Sequence, residues 1–107
     1  MLPVLTDVRD PAALAETCRR LGLPPPARGS VRLGGRETSG WVVRVRGMRR
    51  PVVCDTRTGV VAYDPADNAH DRYAHLMSFV ERCYEVRARL HRAETRRGGR
   101  KPAKEVV

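Results

Sequence analysis

The side chains best suited to chemistry are three cysteines and three histidines, but their spacing does not suit a metal site. His70 and His75 are five residues apart, which places them about 140° apart around a helix, on different faces. Cys83 and His91 share one side of that helix but are two turns apart. A structural zinc ion needs four ligands, usually drawn from short Cys-x-x-Cys or His-x-x-x-His pairs, and neither pair occurs. We therefore predict no metal and no other cofactor.

Nucleophilic catalysis would need Cys54, followed by Asp55, to meet His70 as its general base. However, Cys54 falls at an inward position of a strand pattern, whereas His70 falls on a helix surface. Each of the cysteines occupies a place where a small apolar residue would fit, so we predict buried thiols without disulfides. No other titratable residues converge by spacing, and we predict that the protein is not an enzyme.

Two further patterns are better explained by structure than by catalysis. Residues 34–40 are glycine-rich, but Trp41 stands where a phosphate-binding loop needs lysine, so they predict a hairpin loop. Asp64, Asp67 and Asp71 cluster at a helix start, where capping accounts for them without general acid–base work.

Positive charge is the strongest compositional signal, with a formal net charge of +9 in 107 residues. Residues 87–107 carry a net +6 of this, and residues 1–86 carry only +3. Arginine greatly outnumbers lysine, which favours bidentate contacts with phosphate or carboxylate. A GC-rich genome would produce the same bias, and one sequence does not separate the two causes.

This charge distribution predicts an interface for the backbone of RNA or DNA. Trp41 is in phase with buried valines, so few aromatic side chains remain to stack on bases, and contacts should be dominated by phosphate. The expected nucleic-acid-binding residues are Arg44, Arg46, Arg49, Arg50, Arg57, Arg96, Arg97, Arg100 and Lys101.

The elements that must position these side chains are short strands followed by a long helix. In residues 41–46, Trp41, Val43 and Val45 alternate with Arg44 and Arg46, which predicts a strand with one packed face and one basic face. Further strands are predicted at 2–6, 31–33, 52–54 and 60–63, with short turns typical of an antiparallel meander.

Two helices are predicted from their start signals and their periodicity. Asp10 and Pro11 begin a helix over 11–21, and a second helix begins at Asp64 or restarts at Asp71 and ends near Glu94. The core stripe of the second helix is expected to be Tyr73, Leu76, Met77, Val80, Cys83 and Tyr84. A second stripe of Phe79, Val86 and Leu90 is expected to remain exposed as a partner or homodimer interface.

Together these elements predict an α+β fold: a four- to five-stranded antiparallel meander with two helices on one face, in the order (β)αββββα. One domain should span 1–94, with a basic flexible tail at 95–107. No apolar run is long enough for a membrane helix, and the N-terminus lacks a signal-peptide pattern, so we expect a cytoplasmic protein without membrane contact.

The order and spacing of several segments resemble a known family. Asp10-Pro11-Ala12-Ala13-Leu14 leads to Leu21-Gly22, a glycine-punctuated meander leads to Asp64, and the final helix contains Phe79-Val80-Glu81-Arg82-Cys83-Tyr84. Over about residues 1–90 the chain resembles the domain of unknown function 1257 family of cyanobacterial and plastid proteins. The basic tail and Pro3 depart from that pattern. The resemblance implies an accessory role and supplies no catalytic residues.

Two functional hypotheses follow. The first is a small non-enzymatic accessory protein that binds the nucleic-acid backbone within a larger assembly. The alternative is a protein-interaction adaptor or small subunit that uses the apolar stripe of the C-terminal helix.

Overall fold

The computed structural model describes residues 1–68 and 70–100, and it has the predicted α+β fold. Five strands and two α-helices follow one another in the predicted order. The elements are β1 (Leu2–Leu5), α1 (Pro11–Arg20), β2 (Ala27–Leu33), β3 (Arg36–Val43), β4 (Val52–Asp55), β5 (Val60–Tyr63), a 3-10 turn (Pro65–Asp67) and α2 (His70–Arg100).

The strands form one antiparallel sheet in the order β1-β5-β4-β3-β2. Strands β2 to β5 make the predicted meander, and β1 adds to its far edge by pairing with β5. Pro3 is accommodated because an edge strand needs backbone donors on one side only. The β3–β4 loop and the β4–β5 turn lie at opposite ends of the sheet, which we name the loop end and the turn end.

The hairpin of β2 and β3 is longer than the sequence pattern predicted. Gly34 and Gly35 have φ values of +62° and +81° and form a two-residue turn between the strands. Such positive values suit the turn that matches the twist of a hairpin. Residues 36–40 therefore continue as strand, with Ser39 opposite Ser30, and the predicted loop over 34–40 is wrong apart from its first two residues.

This hairpin folds back over the sheet face that does not carry the helices. Strand β3 pairs with β4 only from Trp41 to Val43, so the rest of the hairpin is released from the sheet. At its tip, the Gly34 N–H donates to Asp64 Oδ2 (3.0 Å). Leu33 joins Val53 and Ala62 in a small buried cluster. The second face is therefore partly covered, rather than being the open arginine-lined surface that we expected.

The main core lies between the other face of the sheet and both helices. Helix α1 begins as predicted, because Asp10 Oδ1 accepts a hydrogen bond from the Ala12 N–H (3.0 Å) and Pro11 occupies the first turn. It contributes Leu14 and Cys18 to this core. The other buried members are Val8, Val43, Val45, Val52, Cys54, Val61, Tyr63, Leu76, Phe79, Val80 and Cys83.

Helix α2 buries one apolar stripe rather than presenting two. Phe79 and Val86 are only 4% and 1% exposed, and Leu90 is half-buried. At 3.6 residues per turn these side chains lie within an arc of about 120° that also contains Leu76 and Cys83. The predicted exposed stripe of Phe79, Val86 and Leu90 is therefore wrong as an interface.

Tyr84, predicted to be core, instead lies at the margin of the buried stripe of α2. Its side chain is 39% exposed, and its hydroxyl accepts a hydrogen bond from the Asp7 N–H (2.8 Å). This contact ties the segment after β1 to α2 at the turn end of the sheet.

Helix α2 continues beyond the last of its side chains that is buried against the rest of the protein. Its 31 residues reach Arg100, past the predicted end near Glu94, so the boundary of the predicted tail at 95–107 is wrong for its first six residues. Residues 101–107 lie outside the described part of the chain. Between residues 71 and 93, the last buried side chain is that of Val86. Neither described α-helix is long and apolar enough to cross a membrane.

We expect Phe79→Ala to lower the free energy of unfolding by about 3–5 kcal/mol, because it removes a large side chain from a packed core. Leu90→Ala, near the end of the same stripe and only half-buried, should cost much less. Urea denaturation followed by circular dichroism measures both. Equal losses for the two variants would contradict the burial of Phe79.

Candidate nucleic-acid interface

The most basic loop, residues 44–51 between β3 and β4, is held by a buried carboxylate. Asp67 is fully buried at the end of the 3-10 turn. Its Oδ1 accepts the backbone N–H of Arg49 (3.1 Å), and its Oδ2 accepts that of Arg50 (2.9 Å). Hydrogen bonds to a carboxylate are among the stronger ones in proteins. The loop is therefore positioned through the backbone of Arg49 and Arg50.

The start of α2 contributes to the same arrangement. Arg72 Nε lies 3.6 Å from Asp67 Oδ1, and both side chains are largely buried. Nearby, the N–H groups of Ala66 and then Gly34 donate to Asp64, and these hydrogen bonds hold the pKa of Asp64 below its ordinary value. The two aspartates thus link the 3-10 turn to the β3–β4 loop and to the tip of the hairpin.

Close approach of the loop to α2 requires glycine at position 47. Gly47 has a φ of +94°, and a Cβ atom there would overlap the imidazole ring of His75. A side chain at this position would be strained by the backbone and would displace the histidine. The loop therefore lies directly against the first turns of α2.

The arginines of the loop fall into two classes. Arg44 and Arg49 are exposed, and within the described chain their side chains form neither a hydrogen bond nor an ion pair. Arg46 Nη2 donates to the Leu21 carbonyl at the end of α1 (3.2 Å). Arg50 Nη2 donates to the Arg32 carbonyl (3.1 Å), and its Nε lies 3.8 Å from Asp64 Oδ2.

Arg46 departs from the sequence prediction in its placement. It was expected to share the basic face of a strand with Arg44, but β3 ends at Val43. After that point the alternation of strand side chains no longer applies. Arg46 instead reaches the helix side of the sheet and meets the end of α1.

The remaining predicted residues are not part of the same surface. Arg57 lies in the β4–β5 turn at the turn end of the sheet, where its Nε is 3.6 Å from Asp55 Oδ1. Arg96, Arg97 and Arg100 belong to the last turns of α2, and their side chains are outside the description. Lys101 lies outside the described residues altogether. The predicted set is therefore divided between two ends of the molecule.

Aromatic side chains contribute little to this surface. Trp41 is half-buried, packs against the core, and has the guanidinium of Arg28 at 5.3 Å from its ring centre. Tyr63 is buried and its hydroxyl donates to Asn68 (2.9 Å). Neither offers an open ring face at the loop end. Any nucleic acid bound there would be held by charge rather than by base stacking.

The described residues hold no cluster of metal ligands, and their cysteines are buried. No group of three or more His, Cys, Asp or Glu side chains in this part of the chain could hold a metal ion. Cys18, Cys54 and Cys83 are buried and unpaired by disulfides, as predicted. Burial raises the pKa of Cys18 to about 11 and the pKa values of Cys54 and Cys83 to about 12. They therefore remain thiols at neutral pH, which is the unreactive form.

The hydrogen bonds from the backbone of Arg49 and Arg50 to Asp67 were not predicted from the sequence, where Asp67 was interpreted as a helix-capping residue. Asp67 and Arg49 are 18 positions apart, and no periodicity links them. Two features of the sequence could have indicated this contact. Asp67 follows the last strand, and the β3–β4 loop contains backbone N–H groups for which no acceptor was predicted.

We expect Asp67→Asn to lower the free energy of unfolding by about 2–4 kcal/mol. The amide keeps one acceptor oxygen for two backbone donors, and it loses the charge that faces Arg72. Asp71→Asn, at an exposed position in the first turn of α2, is the matched control and should cost well under 1 kcal/mol. Urea denaturation of both variants measures the difference, and similar losses would contradict the bridging role of Asp67.

We also expect the three thiols to resist modification by a thiol reagent such as DTNB until the protein is unfolded. Because their pKa values are raised in the folded state, stability should be fully present below pH 9 and should fall as pH rises from about 9 to 12. Denaturation curves at several pH values measure this decline. Rapid reaction of the folded protein at pH 8 would contradict the buried, protonated state.

Comparison of the chain with protein-family models, with curated protein sequences and with solved structures gives no match. The resemblance to the domain of unknown function 1257 family therefore stays a prediction that rests on segment order and spacing.

Proposed function

We propose that this chain is a non-enzymatic accessory protein that binds the phosphate backbone of nucleic acid. The observation that carries the proposal is the β3–β4 loop. Its backbone is fixed by the buried Asp67, and it presents the guanidinium groups of Arg44 and Arg49 to solvent. Guanidinium groups that are not already paired with carboxylates are well suited to bidentate contacts with phosphate oxygens.

A second group of basic residues, on different faces of α2, supports a polymeric ligand over a small phosphate compound. At the turn end of the sheet, Arg87 of α2 pairs with Asp7 (2.9 Å). Farther along the helix, Arg89 and Arg92 are exposed and form no ion pair among the described residues. The contact of Arg87 with Asp7 and the β3–β4 loop lie at opposite ends of the sheet, so one small ligand would not reach both groups of arginines. A nucleic-acid strand presents regularly spaced phosphates and could reach each of them.

The proposal implies weak sequence selectivity. Phosphate contacts fix position and orientation but carry no direct information about the base sequence. Trp41, Tyr63 and Tyr73 are all packed against the core, so none of these three described rings is a free platform to distinguish bases. Such a protein would act in the cytoplasm by stabilising or positioning nucleic acid within a larger assembly.

We expect affinity for a fluorescently labelled oligonucleotide to fall steeply with salt. If about five phosphates are neutralised, the plot of log K against log salt concentration should have a slope near −4. Arg44→Gln with Arg49→Gln should weaken binding by about tenfold or more and reduce the slope by about 2. Fluorescence anisotropy with single-stranded RNA and duplex DNA measures both effects.

Arg9→Gln with Arg57→Gln is the charge-matched control. Both arginines lie near the turn end and already face a carboxylate, at 3.5 Å for Arg9 and 3.6 Å for Arg57. This double variant should keep most of the affinity. Equal losses from the two double variants would show that net charge, rather than the loop, determines binding. Undetectable or salt-independent binding to RNA and DNA would contradict the proposed function.

Truncation after Glu94 tests the contribution of the basic C-terminal segment separately. It removes much of the net +6 carried by residues 87–107, and should therefore reduce affinity further than the loop variants do.

A further inference from the structure

A groove next to the β3–β4 loop has an apolar lining, which phosphate binding does not require. It lies between the end of α1, the segment that follows β3 and the first half of α2, and has a volume of about 210 Å³. Leu21, Leu23, Val45 and Phe79 supply its apolar lining, and Arg46, His75, Ser78 and Arg82 supply its polar groups.

The charges around the groove are of one sign. The guanidinium groups of Arg46 and Arg82 line it, and no carboxylate among the described residues does so. Each arginine has one partner: Arg46 donates to the Leu21 carbonyl, and Arg82 Nε lies 3.6 Å from Glu85 Oε1. A guanidinium has five N–H donors, so both keep donors for a further acceptor. The imidazole of His75 and the hydroxyl of Ser78 can each supply a further hydrogen-bonding group.

The size of the groove limits what can enter it. Pockets for cofactors and drug-sized ligands commonly enclose about 300–1,000 Å³. A volume of 210 Å³ suits one apolar side chain rather than a whole cofactor. A nucleic-acid base would need an open aromatic face to stack on, but Phe79 is only 4% exposed and the other apolar side chains of the lining are aliphatic. The small imidazole of His75 is the other aromatic ring in the lining.

From the lining, the charge and the volume we infer that this groove binds a short acidic segment of a partner protein, with one aliphatic side chain inserted and neighbouring carboxylates held by Arg46 and Arg82. The groove includes Val45 and Arg46 of the β3–β4 loop, but not the exposed side chains of Arg44 and Arg49 that are proposed to contact nucleic acid. The inference does not depend on the proposed function, since it uses different side chains and a different ligand.

The test uses the full chain, isotopically labelled, and a synthetic peptide, acetyl-EDLED-amide, followed by NMR titration. The expected result is a set of concentration-dependent shifts centred on the amides of Val45, His75, Ser78 and Arg82. The peptide with alanine at its centre should bind at least about fivefold more weakly, because it loses the inserted side chain. The neutral peptide acetyl-QNLQN-amide should bind at least about tenfold more weakly.

Two variants keep the test decisive. Ser78→Leu fills the groove from an exposed position of α2 and should abolish the shifts without unfolding the protein. Arg82→Gln should weaken binding about tenfold. Arg36→Gln, an exposed arginine of β3 outside the groove, is the matched control and should leave binding unchanged.

Several outcomes would overturn the inference. These are the absence of shifts at millimolar peptide, equal binding of the acidic and neutral peptides, and shifts that persist in the Ser78→Leu variant. Displacement of the peptide by oligouridylate, with the same amides shifting, would assign the groove to nucleic acid instead. Loss of oligonucleotide binding in Arg44→Gln with Arg49→Gln, with the peptide shifts intact, would support two separate surfaces.

Discussion

The buried carboxylate of Asp67 is the contact on which the loop end of this molecule depends. It joins the 3-10 turn to the β3–β4 loop through two backbone N–H groups, and to α2 through Arg72. Removing a carboxylate from water is costly, and the donors that surround it offset that cost. The loop is thereby fixed without using the side chains of Arg44 and Arg49. A surface can remain strongly cationic when the fold does not need its charges for internal pairing.

Local signals predicted much of the architecture because they act within a few residues. Asp10 with Pro11 marks the start of α1, and the runs of valine give strands β4 and β5. The Gly34-Gly35 pair was also a local signal, but it was interpreted as part of a loop over 34–40. The twist-matched turn that two positive-φ glycines allow makes residues 36–40 strand instead.

Other features could not be predicted because they depend on the tertiary packing of the helices against the sheet. The periodicity of α2 is compatible with more than one choice of buried face, and only the position of the sheet shows that Phe79 and Val86 are inside while Tyr84 is near the edge. For the same reason composition identified the arginines but not their grouping. Arg46 and Arg57 lie at opposite ends of the sheet, and the groove beside Arg46 is assembled from three separate segments of the chain.

The length of α2 has a consequence for local stability. Its first half is covered by the sheet and α1, but no side chain from Arg87 to Ala93 is buried, and the backbone helix still continues to Arg100. An unsupported helix of this length is marginal in water, and Gly98 and Gly99 weaken it further. Amide protons should therefore exchange with solvent at rates that rise steeply along a single helix, from slow beside Leu76 to fast between Leu90 and Arg100. A polyanion that neutralised the clustered positive charge of the outer turns would slow that exchange at a distance from the core.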